Sequence, residues 1–407
     1  MSSATRPPVI VVGAGPAGCA AALALCRRGV EVLLLERARF PRDKVCGDVL
    51  LPEARQALSE LGVDLAPLAA RSHRIDRCCY HGPSGRSVEL PFCDLRGDVE
   101  PWWVVPRLEF DALLATLVRA DGVELREEVT AIDVVVRDAA VRGVVVRLAN
   151  GDRAELPAAA VIAADGASSV MARALGRFER PPAHLCVAVR GYAASQRSES
   201  SVFDIYTTAR TLPGCAWHVP AGQGRANVGL GVLRRDLDRR RVGARALLNQ
   251  VARHYPDLRR DLATVRDVVG WSLPGGSLPL SHATAGALLI GDAGSMVDPF
   301  TGHGIHTALI AGQLAAEVLA AALARGDVGA DALGRFDRLW QQRFGVEMWL
   351  GWALQRFCAS RARVEAMLAL TARSDRRRQL IGGLIGHAYP RPTWLNPSTM
   401  FRFATGR

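Results

Sequence analysis

A glycine-rich turn lies near the start of the chain, directly after an apolar run. Residues Gly13 to Gly18 read GAGPAG, which has the spacing GxGxxG. This spacing is typical of turns that bind a pyrophosphate, since Gly13 permits a tight bend, Gly15 lets the backbone approach the anion and Gly18 lets the next helix pack on the strand. That helix would begin at Pro16 and Ala17, and its first N–H groups, counted from Ala17 because proline has none, would point at phosphate oxygens.

An acidic residue, Glu36, closes the following apolar run VLLLE and stands eighteen positions after Gly18. A carboxylate at this place can accept hydrogen bonds from the diol of an adenosine ribose. The strand, helix and acid in this register predict a βαβ unit that binds a dinucleotide, with Arg37 beside the same group. This unit alone does not distinguish FAD from NAD.

Two further junctions between an apolar run and a turn lie far downstream, at Asp165-Gly166 and Gly291-Asp292. An NAD domain of this type is normally contiguous and does not need them. Each junction also has a structural interpretation, because a serine can cap a helix after the first and Asp292 can cap a helix after the second. Asp292 can equally accept a hydrogen bond from the ribityl chain of a flavin.

Together the three junctions resemble the flavoproteins of the glutathione-reductase type FAD fold, in the branch that contains the aromatic hydroxylases. The resemblance covers most of residues 7–325. It implies FAD as the cofactor, with the glycine turn and the acid holding its ADP half, an arginine ahead of a helix contacting it, and the Gly-Asp segment holding the ribityl chain. The matching positions are Gly13, Gly15, Gly18, Glu36, Arg107, Asp165, Gly166, Gly291 and Asp292.

A narrower resemblance rests on the run FPRDKVCGD, from Phe40 to Asp48. The pattern PRDKxCGD after the acidic strand end is similar to the geranylgeranyl reductase family, which uses reduced FAD to saturate carbon–carbon double bonds of isoprenoid chains. Lys44 is the only lysine of an arginine-rich chain, which favours a need for its compact ammonium over chance retention in a loop. The resemblance places Lys44, Cys46 and Gly47 at the cofactor, with Cys46 near the flavin ring or, alternatively, as a small residue supporting the turn.

Two other segments resemble that family in part. Trp217 and Pro220 match an aromatic channel for the prenyl chain, although Cys215, Val219 and Ala221 stand where the family has an aromatic residue, phenylalanine and lysine. The run PFTGHGI at 299–305 matches a cofactor-binding turn, with histidine in place of glutamate. The residues expected at the cofactor are Pro299, Gly302, Gly304 and Ile305, and those expected at the substrate are Trp217 and Pro220.

The leading hypothesis is reduction of an alkene in a hydrophobic small molecule, either a prenyl lipid or a polyene or polyketide intermediate. Hydride would pass from N5 of the reduced flavin to one carbon, and an acid would protonate the other. Cys46, His303 and His306 are the candidate catalytic residues, since imidazole titrates near neutrality. The helix that opens at Ile305 would favour an anionic reduced ring at its N-terminus. NAD(P)H or a partner reductase would supply the electrons.

Three other functions share most of these motifs. A flavin monooxygenase, hydroxylating or epoxidising an aromatic or polyketide substrate, would consume oxygen, so product formed without oxygen excludes it. A flavin halogenase would rely on a lysine elsewhere, and this chain has none beyond Lys44. A non-enzymatic prenyl-chain escort protein would take up no FAD.

The alternation of strand-like and helix-like segments predicts the α/β class. We expect a Rossmann-like FAD-binding domain built from discontinuous segments, an inserted antiparallel-sheet substrate domain and a helical C-terminal region. The boundaries are 1–70, 106–180 and 283–330 for the first, 71–105 and 181–282 for the second, and 331–407 for the third.

The composition indicates a globular protein and bears on its partners. Hydrophobic residues make up 49% and charged residues 22% of the 407 residues, as in ordinary globular proteins. The net charge of +11 comes from scattered arginines without a basic stripe. We therefore expect no nucleic-acid partner, while weak peripheral binding to a membrane surface is compatible with the charge.

Cysteine usage and hydropathy bear on location. Nine cysteines without zinc-site spacing predict reduced thiols and no metal site. The apolar stretch from Thr307 to Leu323 contains Gln313 and Glu317, so it predicts a buried helix rather than a membrane span. The N-terminus shows no leader pattern, so we expect the cytoplasm. The oligomeric state follows from none of these features.

Overall fold

The computed structural model describes residues 6–406, so the first five residues of the N-terminal segment in which no leader pattern is predicted lie outside the described part. Its strands are β1 Val9–Val12, β2 Val32–Leu35, β3 Val49–Leu50, β4 His73–Ile75, β5 Arg77–His81, β6 Ser87–Pro91, β7 Trp102–Val104, β8 Glu124–Arg126, β9 Thr130–Arg137, β10 Ala140–Arg147, β11 Arg153–Pro157, β12 Ala160–Ala163, β13 Leu185–Ala194, β14 Val202–Tyr206, β15 Cys215–Pro220, β16 Arg225–Leu233, β17 Val269–Pro274, β18 Ala283–Thr284 and β19 Ala287–Leu289. Its helices are α1 Pro16–Cys26, α2 Pro52–Glu60, α3 Ala66–Arg71, α4 Arg107–Ala120, α5 Val170–Ala174, α6 Arg234–Arg240, α7 Ala244–Ala252, α8 Pro256–Leu262, α9 Ile305–Ala324, α10 Ala330–Leu333, α11 Arg335–Cys358, α12 Arg361–Thr371, α13 Asp375–Gly386 and α14 Pro397–Thr405, with short 3-10 turns at Gly291–Gly294 and Arg391–Leu395.

The central sheet has six strands in the order β18-β19-β12-β1-β2-β8. Its neighbours run parallel except β18 and β19. Strands β1 and β2 are apolar at every position because helices α1, α4 and α9 cover one face and the sheet β9–β11 covers the other. The strands come from three separated stretches of chain, which confirms the Rossmann-like domain of discontinuous segments.

Helix α1 begins where the glycine turn ends. Gly15 precedes it in extended backbone and Pro16 is its first residue, a position where a missing N–H costs nothing. The helix is buried along most of its length and packs against α9. Gly312 of α9 allows this close approach, since a Cβ there would lie 2.5 Å from the Ala17 carbonyl oxygen.

Helix α9 is long and apolar enough to cross a membrane by length and composition. In the folded chain it packs against α1, α2 and α11. Gln313 donates to the Ala57 carbonyl at 2.6 Å, and Glu317 pairs with Arg335 at 2.8 Å. This stretch is therefore a core helix, as predicted.

The second large sheet has seven strands in the order β17-β13-β16-β15-β14-β5-β6. Strands β5 and β6 come from the first inserted segment and the other five from the second, so both insertions build one sheet. Its pairs are antiparallel except β5 with β14. These two strands belong to different insertions, and the long connection between them permits parallel pairing.

The remaining elements close the molecule. Strands β9, β10 and β11 form an antiparallel sheet whose second turn contains the Asn150-Gly151 pair. Strands β3, β7 and β4 form a small sheet. The C-terminal region is helical from α10 to α14, as predicted, with α11 packed on α9 and α13 packed on β6.

Candidate active site

A deep cleft lies between the central sheet and the seven-stranded sheet. It contains about 1610 Å³ of empty space, including the part open to solvent. The loop 44–49 and the turn 297–305 form one wall, and apolar side chains of the seven-stranded sheet form the other. The predicted site residues that line it are Pro16, Lys44, Cys46, Gly47, Arg107, Trp217, Asp292, Pro299, Gly302, His303, Gly304 and Ile305.

The structure does not bring every predicted residue to the lining. Arg37 is exposed at the end of β2, Pro220 is buried at the end of β15, and His306 lies behind His303 with 2% of its surface exposed. His306 therefore cannot touch a molecule in the cleft directly. The other predicted residues outside the lining are Gly13, Gly15, Ala17, Gly18, Glu36, Asp165, Gly166 and Gly291.

The Asp165 carboxylate caps helix α5. It accepts hydrogen bonds from the Ser169 hydroxyl at 2.5 Å and from the N–H groups of Val170 at 2.8 Å and Met171 at 3.2 Å. The Ser169 hydroxyl in turn accepts from the Ala172 N–H at 2.8 Å, so a serine caps this helix, as the structural interpretation of the junction expects. Asp165 and Gly166 contact the cofactor only as a prediction.

The glycine turn is shaped for a pyrophosphate. Gly13 has φ +99°, and a Cβ there would lie 2.5 Å from the Ala164 carbonyl oxygen. A Cβ on Gly18 would collide with the Gly13 carbonyl oxygen, whereas a Cβ on Gly15 would meet open space. Gly15 therefore faces a cradle at the N-terminus of α1, where an anion is favoured.

The Glu36 carboxylate is fixed beside that turn. It accepts hydrogen bonds from the Ala14 N–H at 3.1 Å and the Ala38 N–H at 3.0 Å, and the Arg42 guanidinium lies 3.3 Å away. The acid is thus held at the end of β2 in the position that ribose recognition requires.

Lys44 and Asp292 meet in the cleft, although 248 residues separate them. The Lys44 ammonium lies 3.0 Å from the Asp292 carboxylate, and both groups line the cavity. The loop that carries the only lysine therefore joins the Gly-Asp turn. A polar group that binds between them would meet a cation and an anion together.

Two strands of the seven-stranded sheet hold the loop that contains Lys44, residues 43–48, which we call the lysine loop. Arg190 of β13, 3% exposed, donates to both Asp43 carboxylate oxygens at 2.7 Å and to the Lys44 carbonyl at 3.1 Å. Asn227 of β16 donates to the Cys46 carbonyl at 2.7 Å. The loop is consequently fixed by the sheet that covers the cleft.

Asp48 ends this loop in a left-handed conformation with φ +64°. Its buried carboxylate accepts hydrogen bonds from the Tyr192 hydroxyl at 2.5 Å and the Asn227 amide at 2.8 Å. Burial raises the pKa of Asp48, and these two donors oppose that rise. The last aspartate of the PRDKxCGD pattern therefore has a structural role in shaping the loop.

Arg107 belongs to a buried ion pair at the start of α4. Its guanidinium donates twice to the Asp111 carboxylate at 2.6 Å, and Arg42 donates to the same carboxylate at 2.6 Å. Burial acts to raise the pKa of Asp111, but the two guanidinium groups outweigh it and hold this pKa below its usual range. Arg107 also faces the cleft, so the pair orients a cation toward it.

The Gly291-Asp292 turn is held from outside the cleft. Arg180 donates to the Ser295 hydroxyl at 2.7 Å and to the carbonyls of Asp292 at 3.2 Å and Ala293 at 3.1 Å. Ser295 has φ +59°, so the turn departs from helix here and runs on to the N-terminus of α9. This arrangement directs the Asp292 side chain and the first turn of α9 into the same cavity.

Trp217 occupies a groove made by glycines of the neighbouring strand. A Cβ on Gly229 would collide with the indole ring, and one on Gly231 would lie 3.5 Å from it. The indole N–H donates to the Asn227 side chain at 2.9 Å. The ring therefore lies flat along the apolar wall of the cleft.

The predicted histidines join a buried cluster behind the α9 turn. The His303 ring lies edge-on to Trp102 at 5.1 Å and 5.8 Å from the His387 ring, and the His387 ring lies 5.3 Å from that of His306. Burial lowers the pKa of His303 to about 4 and that of His306 to about 3. Both rings are therefore uncharged near neutral pH in the free protein.

Charged groups surround these histidines. Arg391 lies 2.5 Å from Asp298 and donates its backbone N–H to Glu347 at 3.0 Å. His306 Nε2 lies 3.6 Å from Glu53 Oε2. Burial raises the pKa of Glu347 to about 7. The cluster thus combines an ionised pair with a carboxyl group that titrates near neutrality.

The raised pKa of Glu347 predicts a pH-dependent stability. The folded state holds this proton more tightly than the unfolded state, so the contribution is complete below pH 4.5 and is lost as pH rises through about 7. Glu347→Gln should remove up to about 3 kcal/mol of this dependence. In urea unfolding from pH 5 to 8, the free energy of unfolding should fall more steeply for wild type than for the variant. Glu317→Gln, in a surface ion pair, should follow wild type; parallel curves for wild type and Glu347→Gln would refute the prediction.

These features fit FAD. The cradle at Gly15 and the fixed Glu36 suit the ADP half, and the cleft that continues past Lys44 and Asp292 suits the flavin half.

The sequence did not assign roles to the groups that hold the lysine loop, Arg107 and the Gly291-Asp292 turn in place. These groups are Arg42, Asp43, Asp48, Asp111, Arg180, Arg190, Tyr192 and Asn227. One signal was available, because Asp111 follows Arg107 by four positions on a helix.

Comparisons with known proteins agree with this geometry. A family model described as an FAD binding domain matches residues 6–338. A menaquinone reductase of Mycolicibacterium smegmatis is 35% identical over 341 residues, which cover 77% of this chain and 76% of the relative. A digeranylgeranylglycerophospholipid reductase 2 of Methanopyrus kandleri is 31% identical over 349 residues, 83% of each chain.

A solved structure shares the fold over nearly the whole chain. A geranylgeranyl bacteriochlorophyll reductase-like protein of Thermoplasma acidophilum superposes with a TM-score of 0.83, covering 98% of this chain and 99% of that one, at 22% identity. The glycine turn, the lysine loop and these relatives lead to one assignment: the chain is an FAD-dependent oxidoreductase and belongs to the geranylgeranyl reductase-like members of the FAD-binding family.

Proposed function

We propose that the protein saturates a carbon–carbon double bond in the isoprenoid chain of a prenyl lipid. The observation that carries this proposal is the ion pair between Lys44 and Asp292, which lies in a cleft whose opposite wall is apolar. The relatives add support, since menaquinone and digeranylgeranylglycerophospholipid both contain isoprenoid chains. An apolar wall suits a substrate without polar groups near the reacting carbons.

The residues of the cleft have two tasks, to hold FAD and to exclude water from the reacting carbons. When bound, reduced FAD supplies the hydride. Gly15, Glu36 and Asp292 would hold it, and the positive potential at the N-terminus of α9, at Ile305, would favour an anionic reduced ring beside it. Trp217 and the neighbouring glycine strand would exclude water from the reacting carbons.

Of the three candidate catalytic residues, Cys46 and His303 line the cleft. Burial raises the pKa of the Cys46 thiol, so it is protonated at neutral pH. His303 differs because its ring continues into the buried histidine cluster, which can replace a proton after it is used. We therefore assign proton delivery to His303 and a packing role to Cys46.

Replacement of these two residues distinguishes their roles. His303→Asn should lower turnover about 100-fold with FAD content unchanged, the usual loss for a general acid. Cys46→Ala should lower turnover less than tenfold. Steady-state rates and flavin absorbance measure both, and a greater loss in Cys46→Ala than in His303→Asn would reverse the assignment.

The experiment that tests the function compares oxygen with its absence. FAD-loaded protein with dithionite is incubated under nitrogen with menaquinone and with a geranylgeranyl glycerolipid, and products are read by mass. The proposal expects a gain of two hydrogens without oxygen. A product that gains oxygen, formed only in air, would instead establish a monooxygenase, and protein that takes up no FAD would favour an escort protein.

The electron source is a separate proposal. NAD(P)H or a partner reductase would reduce the bound flavin. The sequence contains one GxGxxG turn, which FAD would occupy, so the donor would bind elsewhere on this chain or on a partner. Anaerobic bleaching of the flavin by NADH, by NADPH or only by an added reductase distinguishes these donors.

A further inference from the structure

The inference concerns the cluster behind the α9 turn, composed of His303, His306, His387, Glu53 and Glu347. Its five side chains come from α2, the turn before α9, the first turn of α9, α11 and the residue that follows α13. His303 lines the cleft, whereas Glu53 and Glu347 retain 19% and 11% side-chain exposure. The cluster therefore extends from the cavity toward the outside.

The spacing of the cluster suits proton transfer. One ligand atom each of Glu53, His306 and His387 lie within 4.8 Å of one another, and so do those of Asp298, Glu347 and His387. His387 is common to both groups. Such separations are bridged by one water molecule or by a small rotation of a ring.

Two nitrogens in this cluster are unsatisfied. His303 Nδ1 and His306 Nδ1 are buried and find no hydrogen-bond partner among residues 6–406. A buried polar atom without a partner is costly, so it marks a place for a water or for a transferable proton. His303 Nδ1 is such an atom on a residue that lines the cleft.

Charged neighbours hold the cluster in place but leave the two Nδ1 atoms without a partner among the described residues. Arg391 contacts Asp298, Glu347 and His387, with 3.2 Å between Arg391 Nη2 and His387 Nε2. Since arginine only donates, His387 Nε2 accepts this bond. The Arg391 cation also disfavours a metal ion at the same place. Of the other groups that face the cluster, Arg343 of α11 is charged and Trp102 and Phe344 are apolar.

We propose that His303, His387 and His306, with Glu53 and Glu347, form a proton route from the surface to the cleft and take up a proton when a reduced flavin occupies it. This proposal rests on the proposed function, because it needs FAD in the cleft. Glu347 is the group that stores the proton, and His387 connects it to His303.

The route completes the reduction with balanced atoms. When bound, reduced FAD would supply the hydride and its electron pair for the first new C–H bond. His303, uncharged at rest, gives up the proton that the route has just delivered to it: that N–H bond breaks, its electron pair stays on nitrogen, and the alkene's electron pair forms the second C–H bond. An O–H bond at Glu347 breaks to restore the proton through His387, and solvent reprotonates the carboxylate.

A reduced flavin should make proton uptake favourable. Its negative charge raises the proton affinity of nearby groups. Glu347 titrates near neutrality in the free protein, so it is the member of the cluster that responds between pH 7 and 9. His303 and His306 are uncharged there and pass the proton without storing it.

The midpoint potential of the bound flavin tests the proton store without any substrate. A two-electron couple shifts by about 30 mV per pH unit for each proton taken up. Wild-type holoenzyme should give about 60 mV per pH unit just above pH 7, and Glu347→Gln should give about 30 mV. Equal slopes for the two proteins would overturn the store. Colourless protein would instead count against the proposed function.

Proton uptake kinetics test the route. The holoenzyme is photoreduced rapidly in unbuffered solution with an indicator dye. Wild type should take up protons as fast as the flavin bleaches, and His387→Asn should lag at least tenfold. Asparagine suits this position because residue 387 has φ +52°. His254→Asn, on the exposed surface, is the control, and uptake without a lag in His387→Asn would overturn the route.

Discussion

Replacing Gly15 with glutamate is expected to yield a folded protein that retains no FAD. A side chain at this position meets open space, and its backbone angle of −81° accepts any residue, so the fold should tolerate the change. The added carboxylate would project into the cradle where the pyrophosphate binds. Like charges in contact cost about 3 kcal/mol, which corresponds to more than a 100-fold loss of affinity.

The control for this variant is Gly243→Glu. Gly243 also precedes a helix, has φ −77° and offers open space to a Cβ, but it lies before α7, away from the cleft. Both variants should unfold in urea within about 1 kcal/mol of wild-type protein stripped of flavin. Equilibrium dialysis against FAD should show loss of binding in Gly15→Glu alone. Retained FAD in Gly15→Glu would show that the glycine turn does not hold the cofactor.

Replacing Asp111 with leucine is expected to destabilise the protein by about 3–5 kcal/mol. The change leaves the Arg107 guanidinium, 3% exposed, without its bidentate partner, and an uncompensated buried charge is costly. Arg42 would lose one contact but can still reach Glu36. Urea unfolding of flavin-free protein measures the loss.

A double replacement separates stability from cofactor binding. Arg107→Met with Asp111→Leu removes the ion pair whole, and apolar replacements of buried pairs are often neutral. The double variant should recover stability to within about 1 kcal/mol of wild type. Its FAD affinity should be lower than that of wild type, because it lacks Arg107, which faces the cleft. A double variant as unstable as Asp111→Leu would contradict this explanation.

The sequence predicted well what depends on neighbouring residues. The glycine turn, Glu36 at the end of β2 and the Gly291-Asp292 turn each lie within one local unit whose spacing carries its geometry. The discontinuous parallel sheet followed from three such units. The lysine loop was also recognised, but as a pattern whose physical basis was not visible.

That basis depends on contacts between distant parts of the chain. Asp43 pairs with Arg190 across 147 positions, and Asp48 is held by Tyr192 and Asn227 across 144 and 179 positions. Periodicity within a strand says only that these side chains share a face. The partner across the cleft is fixed by the packing of two sheets, which no local spacing encodes.

The histidines illustrate a different difficulty. His303 and His306 were equivalent in sequence, three positions apart on either side of the start of α9. The structure places His303 at the cleft and His306 behind it beside Glu53, and adds His387 from a helix 80 residues away. A side chain's role here depends on which face of the turn meets the cavity, and this is settled only when α11 and α13 pack.

One single-turnover measurement tests the central claim, that this cleft uses bound FAD to reduce an alkene. The FAD-loaded protein is reduced with one equivalent of dithionite under nitrogen, mixed with a geranylgeranyl glycerolipid or with menaquinone, and followed by flavin absorbance and product mass. The flavin should reoxidise as one double bond per flavin gains two hydrogens. Reduced flavin that persists with both compounds until oxygen is admitted, and then yields an oxygenated product, would contradict it.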